Sequence, residues 1–352
     1  MTTTPISPRR TAALGVVPAP TAGRRATNAP TFTPAPAGAL PADYRYPFAP
    51  FPTGWYLVAE STAVGPGDVM PMRWFGRDLV LYRTESGQAV VADAHCPHMG
   101  AHLGYGGVVD REGIRCPFHS WRFDTDGRCD QVPYATRAVQ PRTGVASWPV
   151  HETCGLILVH HDEAGRAPTW HMPDVEEWGA PGWLGYTTCS WKIRMHVQEL
   201  AENIPDTVHF LYVHTVPAMP DADVETDGHV YRQVTSGKID GVEVWRTTQE
   251  AFGLGLVWLH GDGPMRYKFL TATTPIDAEH VELRLLFLSY EGEGATEVSE
   301  ASRQAIQATI ENTGRDVPIW EHKVYRDRPP LVPGDGPIGL LRSWASQFHP
   351  TV

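Results

Sequence analysis

The chain has 352 residues, enough for two domains with substantial cores. A formal charge of -11 with no basic block argues against nucleic acid as a partner, and no apolar run reaches the length of a membrane span. Glycine and proline are frequent, at 33 and 32, and 12 tryptophans are many, which points to a loop-rich, mainly β protein with a few long segments.

Residues 1–42 are rich in Pro, Ala and Thr, lack periodicity and read as a disordered tail. Arg9-Arg10 raises a twin-arginine export signal, but the apolar run behind it stops at Pro18, so export is not expected. Order should begin near "YRYPFAPFPTGWYLVA". The runs "DVMPMRWFG", "RDLVLYRT", "QAVVADAHC", "GIRCPFHSWRFDTDGRC" and "GLILVHHD" follow. They are β-branched or aromatic and bounded by turn residues, with a turn at Asp126-Gly127. Residues 43–165 therefore read as a compact all-β unit.

The Pro/Trp/Gly-rich stretch "APTWHMPDVEEWGAPGW" marks a boundary, so residues 166–352 form a second domain. There "MHVQELAENIPDTVHFLYVH" reads as helix. Strands are expected in "HVYRQVTSG", "GVEVWRTTQ", "GLGLVWLHG", "MRYKFLTATT" and "HVELRLLFLSY". A long helix, with Ala305, Ile306, Ile310 and Thr313 near one face, is expected in "EVSEASRQAIQATIENTGRDVPIWEHKVY". Strands followed by helices, without alternation, predict an α+β protein: an antiparallel sheet with helices on one face.

The densest chemistry lies in "CPHMGAHLGYGGVVDREGIRCPFH". Structural zinc sites pair like with like, as C-x2-C and H-x3-5-H. Here each pair is mixed, Cys96 with His98 and Cys116 with His119, each beside a proline. Mixed pairs suit a Rieske [2Fe-2S] cluster, in which two Cys hold one iron and two His the other. His95, His102 and Cys129 do not fit the spacing and are read as structural. The five cysteines are an odd count, and the three outside the motif suit a reducing compartment better than a disulfide framework. A cytoplasmic location is expected.

A second constellation is Asp206, His209 and His214. Asp206 and His209 share a helix face. Five residues turn an ideal helix by about 140° net, so the helix must distort or end between His209 and His214 if both rings are to meet one metal. Thr215-Val216-Pro217 supplies a stop. Beside a one-electron donor, two His and a carboxylate suggest the facial triad of a non-haem Fe(II) oxygenase, with positions open for O2 and substrate.

The first stretch resembles the C-x-H-x(15-17)-C-x2-H signature of the Rieske domain. The respiratory type adds a cysteine in each loop. Ala101 and Phe118 stand in those places here, so the site resembles the ferredoxin and oxygenase branch. "ENIPDTVHFLYVH" is similar to the (E/D)-N-x-x-D-x-x-H-x4-H motif of Rieske oxygenases at Glu202, Asn203, Asp206, His209 and His214. The resemblance spans about residues 48 to 350. "PFPTGWY" and "DGPI...R.W..QF" are most like the branch of 3-ketosteroid 9α-hydroxylase oxygenases and cholesterol 7-desaturases.

The resemblance implies an N-terminal Rieske β domain and a helix-grip catalytic domain. Its cofactors would be a [2Fe-2S] cluster on Cys96, His98, Cys116 and His119 and a mononuclear Fe(II), with O2 as co-substrate. It moves the carboxylate ligand downstream, to Asp316 by register with Ile319 and Trp320, with Glu311 and Asp327 as rivals. Asp206 then becomes an electron bridge to His119 of a neighbouring subunit in a homotrimer, with Asn203 in the same network. The implied activity is hydroxylation or desaturation of a bulky apolar, steroid-like or polycyclic substrate. Its pocket would draw on residues 216 to 310, including Phe252, Leu254, Trp258 and Phe269. No strand-G-x-G-x-x-G-helix pattern is present, so a separate flavin/iron-sulfur reductase or ferredoxin is expected to supply electrons. Two other readings stay open: arylamine N-oxygenation, as in aminopyrrolnitrin oxygenase, and a Rieske electron carrier whose second domain only docks.

Overall fold

The computed structural model describes residues 40–137, 142–262 and 267–349; the tail expected over residues 1–42 lies almost wholly outside them. The N-terminal part is all-β, as expected. Strands β1 (Gly54–Glu60), β2 (Val69–Trp74), β3 (Arg77–Arg83), β4 (Ala89–Asp93), β5 (Val108–Asp110), β6 (Gly113–Arg115), β7 (Arg122–Phe123), β8 (Cys129–Gln131), β9 (Ser147–Trp148), β10 (Val150–Thr153) and β11 (Leu156–His161) form three small antiparallel sheets. Their orders are β1-β11-β10, β2-β3-β4-β9 and β5-β6-β7-β8. The Asp126-Gly127 turn is present: Asp124 Oδ1 accepts from the Asp126 and Arg128 amides, and Gly127 has φ +81°.

The second part is one seven-stranded antiparallel sheet with helices on one face. Its strands are β12 (Trp183–Ile193), β13 (Pro220–Asp227), β14 (Val230–Ile239), β15 (Val242–Phe252), β16 (Leu256–Asp262), β17 (Tyr267–Pro275) and β18 (Val281–Tyr290), in the order β12-β18-β17-β16-β15-β14-β13. Two strands were not expected from the sequence. β13, "PDADVETD", is a mostly exposed edge strand whose acidic residues hide its alternation, and β12 carries Gly185 within a mixed polar run.

The expected helix over "MHVQELAENIPDTVHFLYVH" is instead two short helices, α1 (Val197–Ala201) and α2 (Val208–Tyr212). The break holds Pro205, which lacks an amide proton and disfavours helical geometry in the residue before it. The long helix is α3 (Glu300–His322), capped by the Ser299 hydroxyl accepting from the Ser302 amide. A further helix, α4 (Ile338–Ala345), lies in the C-terminal motif.

Strand alternation separates the two sheet faces. Tyr231, Ala251, Val257, Phe269, Leu285 and Phe287 share one core with Val197, Leu200, Ile204, Ile306, Val317 and Trp320 from the helices and the α1–α2 break. Phe252, Leu256, Trp258, Leu270, Leu286 and Leu288 lie on the other face, against Trp55, Leu57, Leu156 and Leu158 of the N-terminal part. Of the four residues expected in a pocket, Phe252 and Trp258 therefore point away from the helices. Leu254 and Phe269 belong to the helix-side core.

The stretch between the two parts is anchored at a few buried side chains. Met172 and Trp178 join the core, and the Trp55 indole donates to Trp170 O at 2.6 Å. Phe75 N and Gly76 N donate to Pro275 O and Ile276 O, each at 2.9 Å, and Thr274 Oγ1 donates to Leu57 O at 2.6 Å. Each large apolar side chain buried in this seam contributes roughly 1.5–3 kcal/mol, so the two parts do not hinge freely.

His160 and His161 end β11 inside this seam. His161 stacks on Phe75, centroids 4.9 Å apart, with Nδ1 3.3 Å from Pro52 O. Burial lowers both pKa values to about 4, from an ordinary 6.5. Between those values the unfolded chain binds more protons than the folded one, so stability falls as pH drops from about 6.5 towards 4. Melting temperature should be flat above about pH 7 and decline below it. His161→Phe, which keeps the aromatic packing, should make the decline shallower. An unchanged slope in that variant would exclude His161 as a cause.

Candidate metal centres

The first centre sits at the tip of the small β domain. Cys96 and His98 lie in the loop after β4, Cys116 and His119 in the loop after β6. The two loops close alike. Gly100 N donates to Cys96 O at 2.9 Å and Ser120 N to Cys116 O at 3.1 Å, while the Cys96 and Cys116 amides reach across to Ala101 O and Trp121 O. Gly107 lets the first of these loops fold back on itself: a Cβ there would fall 2.1 Å from Leu103 O.

Both cysteines are buried, and both histidines stand half-buried at the rim, rings 4.7 Å apart. His98 stacks on Trp121, centroids 4.4 Å apart and planes 9° apart, and Trp121 Nε1 donates to Tyr134 Oη at 2.8 Å. These four side chains fit an iron–sulfur cluster. His119 Nδ1 is buried without a hydrogen-bond partner, as a nitrogen reserved for a metal would be. Burial raises the Cys96 pKa, and the Cys116 sulfur beside it adds to this, so the Cys96 thiolate forms only where a cation compensates it. None of the five cysteines is disulfide-bonded, and Phe118 is exposed, so no disulfide covers the site. His95, His102 and Cys129 stand apart from the four side chains. The first two form an isolated bridge, and Cys129 is buried with the hydrophobic core.

The second centre lies on the helix face of the large sheet. Helix α2 carries His209 and ends at Tyr212, so the backbone turns before His214, and Thr215 adopts φ +55°. This is the ending that the five-residue spacing required. One ligand atom from each of His209, His214 and Asp316 lies within 4.8 Å of the others, and no other such group occurs among the described residues. Asp316 is buried on α3, with Oδ2 3.2 Å from His214 Nε2. Its rivals are elsewhere: Glu311 is exposed and accepts from Gln307, and the Asp327 side chain is 76% exposed.

The donor set fits a divalent metal. His209 Nδ1 donates to the Asp206 backbone oxygen, which fixes the tautomer and leaves Nε2 with its lone pair. Burial lowers the His209 pKa and favours that neutral ring. Asn203 Nδ2 lies 3.3 Å from the same Nε2, and His214 Nδ1 is buried without a partner. The Asp206 carboxylate does not hydrogen-bond His209: it lies 3.9 Å from Nδ1 and is 48% exposed, and the backbone oxygen takes its place.

Residues 54–149 match the Rieske [2Fe-2S] domain family, and residues 159–349 match the 3-Ketosteroid 9alpha-hydroxylase C-terminal domain family. The chain belongs to the Rieske non-haem iron oxygenases. This oxygenase is 31% identical to a probable 3-ketosteroid-9-alpha-monooxygenase, oxygenase component, of Rhodococcus rhodochrous, over 84% of the chain and 79% of that protein. It is 32% identical to cholesterol 7-desaturase nvd of Bombyx mori, over 85% of the chain and 70% of that protein. In fold it is similar to Pseudomonas putida CBB5 NdmB, at a TM-score of 0.68 and 19% identity over 83% and 89% of the two chains. It is also similar to dicamba monooxygenase bound to dicamba, at 0.65 and 18% over 84% and 96%. The oxygenase is an oxidoreductase with a Rieske cluster, a mononuclear iron and a use for O2.

Several residues that hold the second centre were not singled out from the sequence. Gln233, fully buried on β14, donates to Ile204 O at 2.6 Å and pins the break between α1 and α2. Gly336 of "DGPI" packs on that break: a Cβ would fall 1.5 Å from Pro205 O. Arg342 pairs with Glu202 through two 2.9 Å bonds. Gln233 had one signal in the sequence, an amide amid buried strand alternation. Arg342 had another, its place in the C-terminal motif.

Proposed function

We propose that the chain is the terminal oxygenase component of a multicomponent system that hydroxylates or desaturates a bulky, apolar, steroid-like or polycyclic substrate. The observation that carries this reading is the meeting of His209, His214 and Asp316 beside helices packed on an apolar sheet face. Cys96, His98, Cys116 and His119 hold the cluster, and His209, His214 and Asp316 hold the iron. Residues 43–165 form the cluster domain and 166–352 the catalytic domain. When bound, the cluster supplies single electrons and the ferrous centre supplies activation of O2.

The chain's own residues do the rest. The Asp206 backbone oxygen holds the proton on His209 Nδ1, so Nε2 is free for the metal. Phe269, Phe287 and Val257 make the sheet face that carries these helices apolar and dry, an environment that suits a ring system with few polar groups. The relatives named for 3-ketosteroids and cholesterol support that substrate class. A separate NAD(P)H-dependent flavin/iron-sulfur reductase or ferredoxin delivers the electrons. The buried cysteines, none of them disulfide-bonded, support a reducing, cytoplasmic setting. No helix among the described residues is long and apolar enough to cross a membrane.

The working assembly is a head-to-tail homotrimer in which each cluster meets its neighbour's iron. Met99, Tyr105, Phe118 and Tyr134, each more than half exposed, crowd the loops that carry His98 and His119. Tyr212 and Ile319 are exposed on the two helices of the iron centre, where the half-exposed Asp206 carboxylate is available to a partner's histidine. Apolar area of this kind at two different places suits a heterologous contact that closes into a ring.

Purified protein should hold about three irons and two labile sulfides per chain. With a surrogate reductase and NADH it should insert oxygen into, or desaturate, a 3-ketosteroid or sterol. Two irons per chain would reduce the protein to an electron carrier. Oxidation of arylamines in place of C–H bonds would replace the substrate class.

A further inference from the structure

Arg342 lies far from the ligands in sequence and touches none of them, yet it joins the two segments that carry them. Its guanidinium forks onto the buried Glu202 carboxylate, Nε to Oε1 and Nη2 to Oε2, each at 2.9 Å. Glu202 closes α1 and opens the break that leads to Asn203 and His209. The remaining nitrogen, Nη1, donates to Arg326 O at 2.8 Å and Asp327 O at 3.0 Å, on the strap that leaves α3 after Asp316. The guanidinium also lies over the Tyr325 ring, 4.7 Å from its centroid. A second tie runs in parallel: Lys323 Nζ stands 3.4 Å from Glu199 Oε1, one turn earlier on α1.

We propose that Arg342 is a positioning residue that sets the separation of Asp316 from His209 and His214. The inference rests on those three residues being the iron ligands. The fork fixes both angle and distance, and the two carbonyl bonds carry that constraint to the α3 strap. A lysine cannot do both, because its charge is a point and its donors share one nitrogen. Partners hydrogen-bonded directly to a ligand govern metal affinity by about 10–100-fold, and Arg342, at least one contact further away, should act at or below the lower end of that range.

The test uses the full-length protein with its cluster loaded. Ferrous iron affinity is measured by titration into protein stripped of mononuclear iron. The electron paramagnetic resonance signal of the nitric oxide adduct reports the symmetry at the iron, and the visible spectrum of the cluster reports folding. Arg342→Gln should weaken Fe(II) binding by up to about 10-fold and broaden the nitric oxide signal, with the cluster spectrum unchanged. Arg342→Lys should recover part of both. Glu202→Gln, which leaves no unpaired carboxylate, should shift both in the same direction by less and serves if Arg342→Gln does not fold. Arg303→Gln removes an ion pair at the far end of α3, to Glu300, and should leave both readouts alone.

Wild-type iron affinity and signal in Arg342→Gln, or in Glu202→Gln where only that variant folds, would overturn the proposal. So would an equal loss in Arg303→Gln. Asp316→Ala separates the two levels. If it keeps its iron, the ligand assignment itself is wrong. If it loses iron while Arg342→Gln and Glu202→Gln do not, only the clamp is wrong.

Discussion

Asp316→Ala is expected to lose its mononuclear iron and all turnover above background, while the visible spectrum of the cluster stays as in the wild type. Asp316 supplies the carboxylate that closes the group with His209 and His214, and its Oδ2 already stands 3.2 Å from His214 Nε2. Losing a mere supporting partner of a ligand costs about 10–100-fold in metal affinity, and losing the ligand costs more. The cluster loops belong to a different sheet and a separate core, so they should not register the change. Glu311→Ala and Asp327→Ala serve as controls. The first removes an exposed side chain that accepts from Gln307. The second removes a side chain whose residue holds Arg342 through its backbone oxygen instead. Iron analysis together with the absorption spectrum decides the matter. Full iron and activity in Asp316→Ala would move the carboxylate ligand elsewhere.

The second large effect is recovery from two inactive chains. If electrons cross between subunits, His119→Ala lacks a working cluster, Asp316→Ala lacks the iron, and each alone should be dead. In a head-to-tail ring that contains both chains, one junction joins an intact cluster to an intact iron. Equal random mixing makes about three quarters of rings mixed, with about one working junction in three, so activity should return to about a quarter of wild type. Co-expression allows exchange during assembly, and native mass spectrometry checks that mixed rings form. Mixed rings without activity would confine transfer to single chains. The half-exposed Asp206 carboxylate would then have no partner across an interface, and Asp206 would serve His209 through its backbone oxygen alone.

The sequence by itself determined the chemistry. Cys96-x-His98 and Cys116-x2-His119 are local patterns, and each pair needs only one tight loop to bring its members together. A spacing of five between His209 and His214 demanded a helix that ends, and α2 does end at Tyr212. Strand alternation and turn residues also foretold most strands of both parts, because those signals act over a few residues.

What the tertiary structure decided depended on long-range contact. A carboxylate on a long helix looks the same whether it meets a metal or water. Only the packing of Val317 and Trp320 on the sheet buries Asp316 beside His214 and leaves Glu311 outside. Trp258 and Phe269 are alike in composition, yet they face opposite sides of the sheet. β16 is apolar on both faces, so alternation could not tell which side the helices cover. One helix became two because Pro205 breaks it and because Gln233 and Gly336, from distant segments, hold the broken backbone in place. The fork between Arg342 and Glu202 spans 140 residues. Pairing at that separation is fixed by how the whole chain packs, and no local pattern records it.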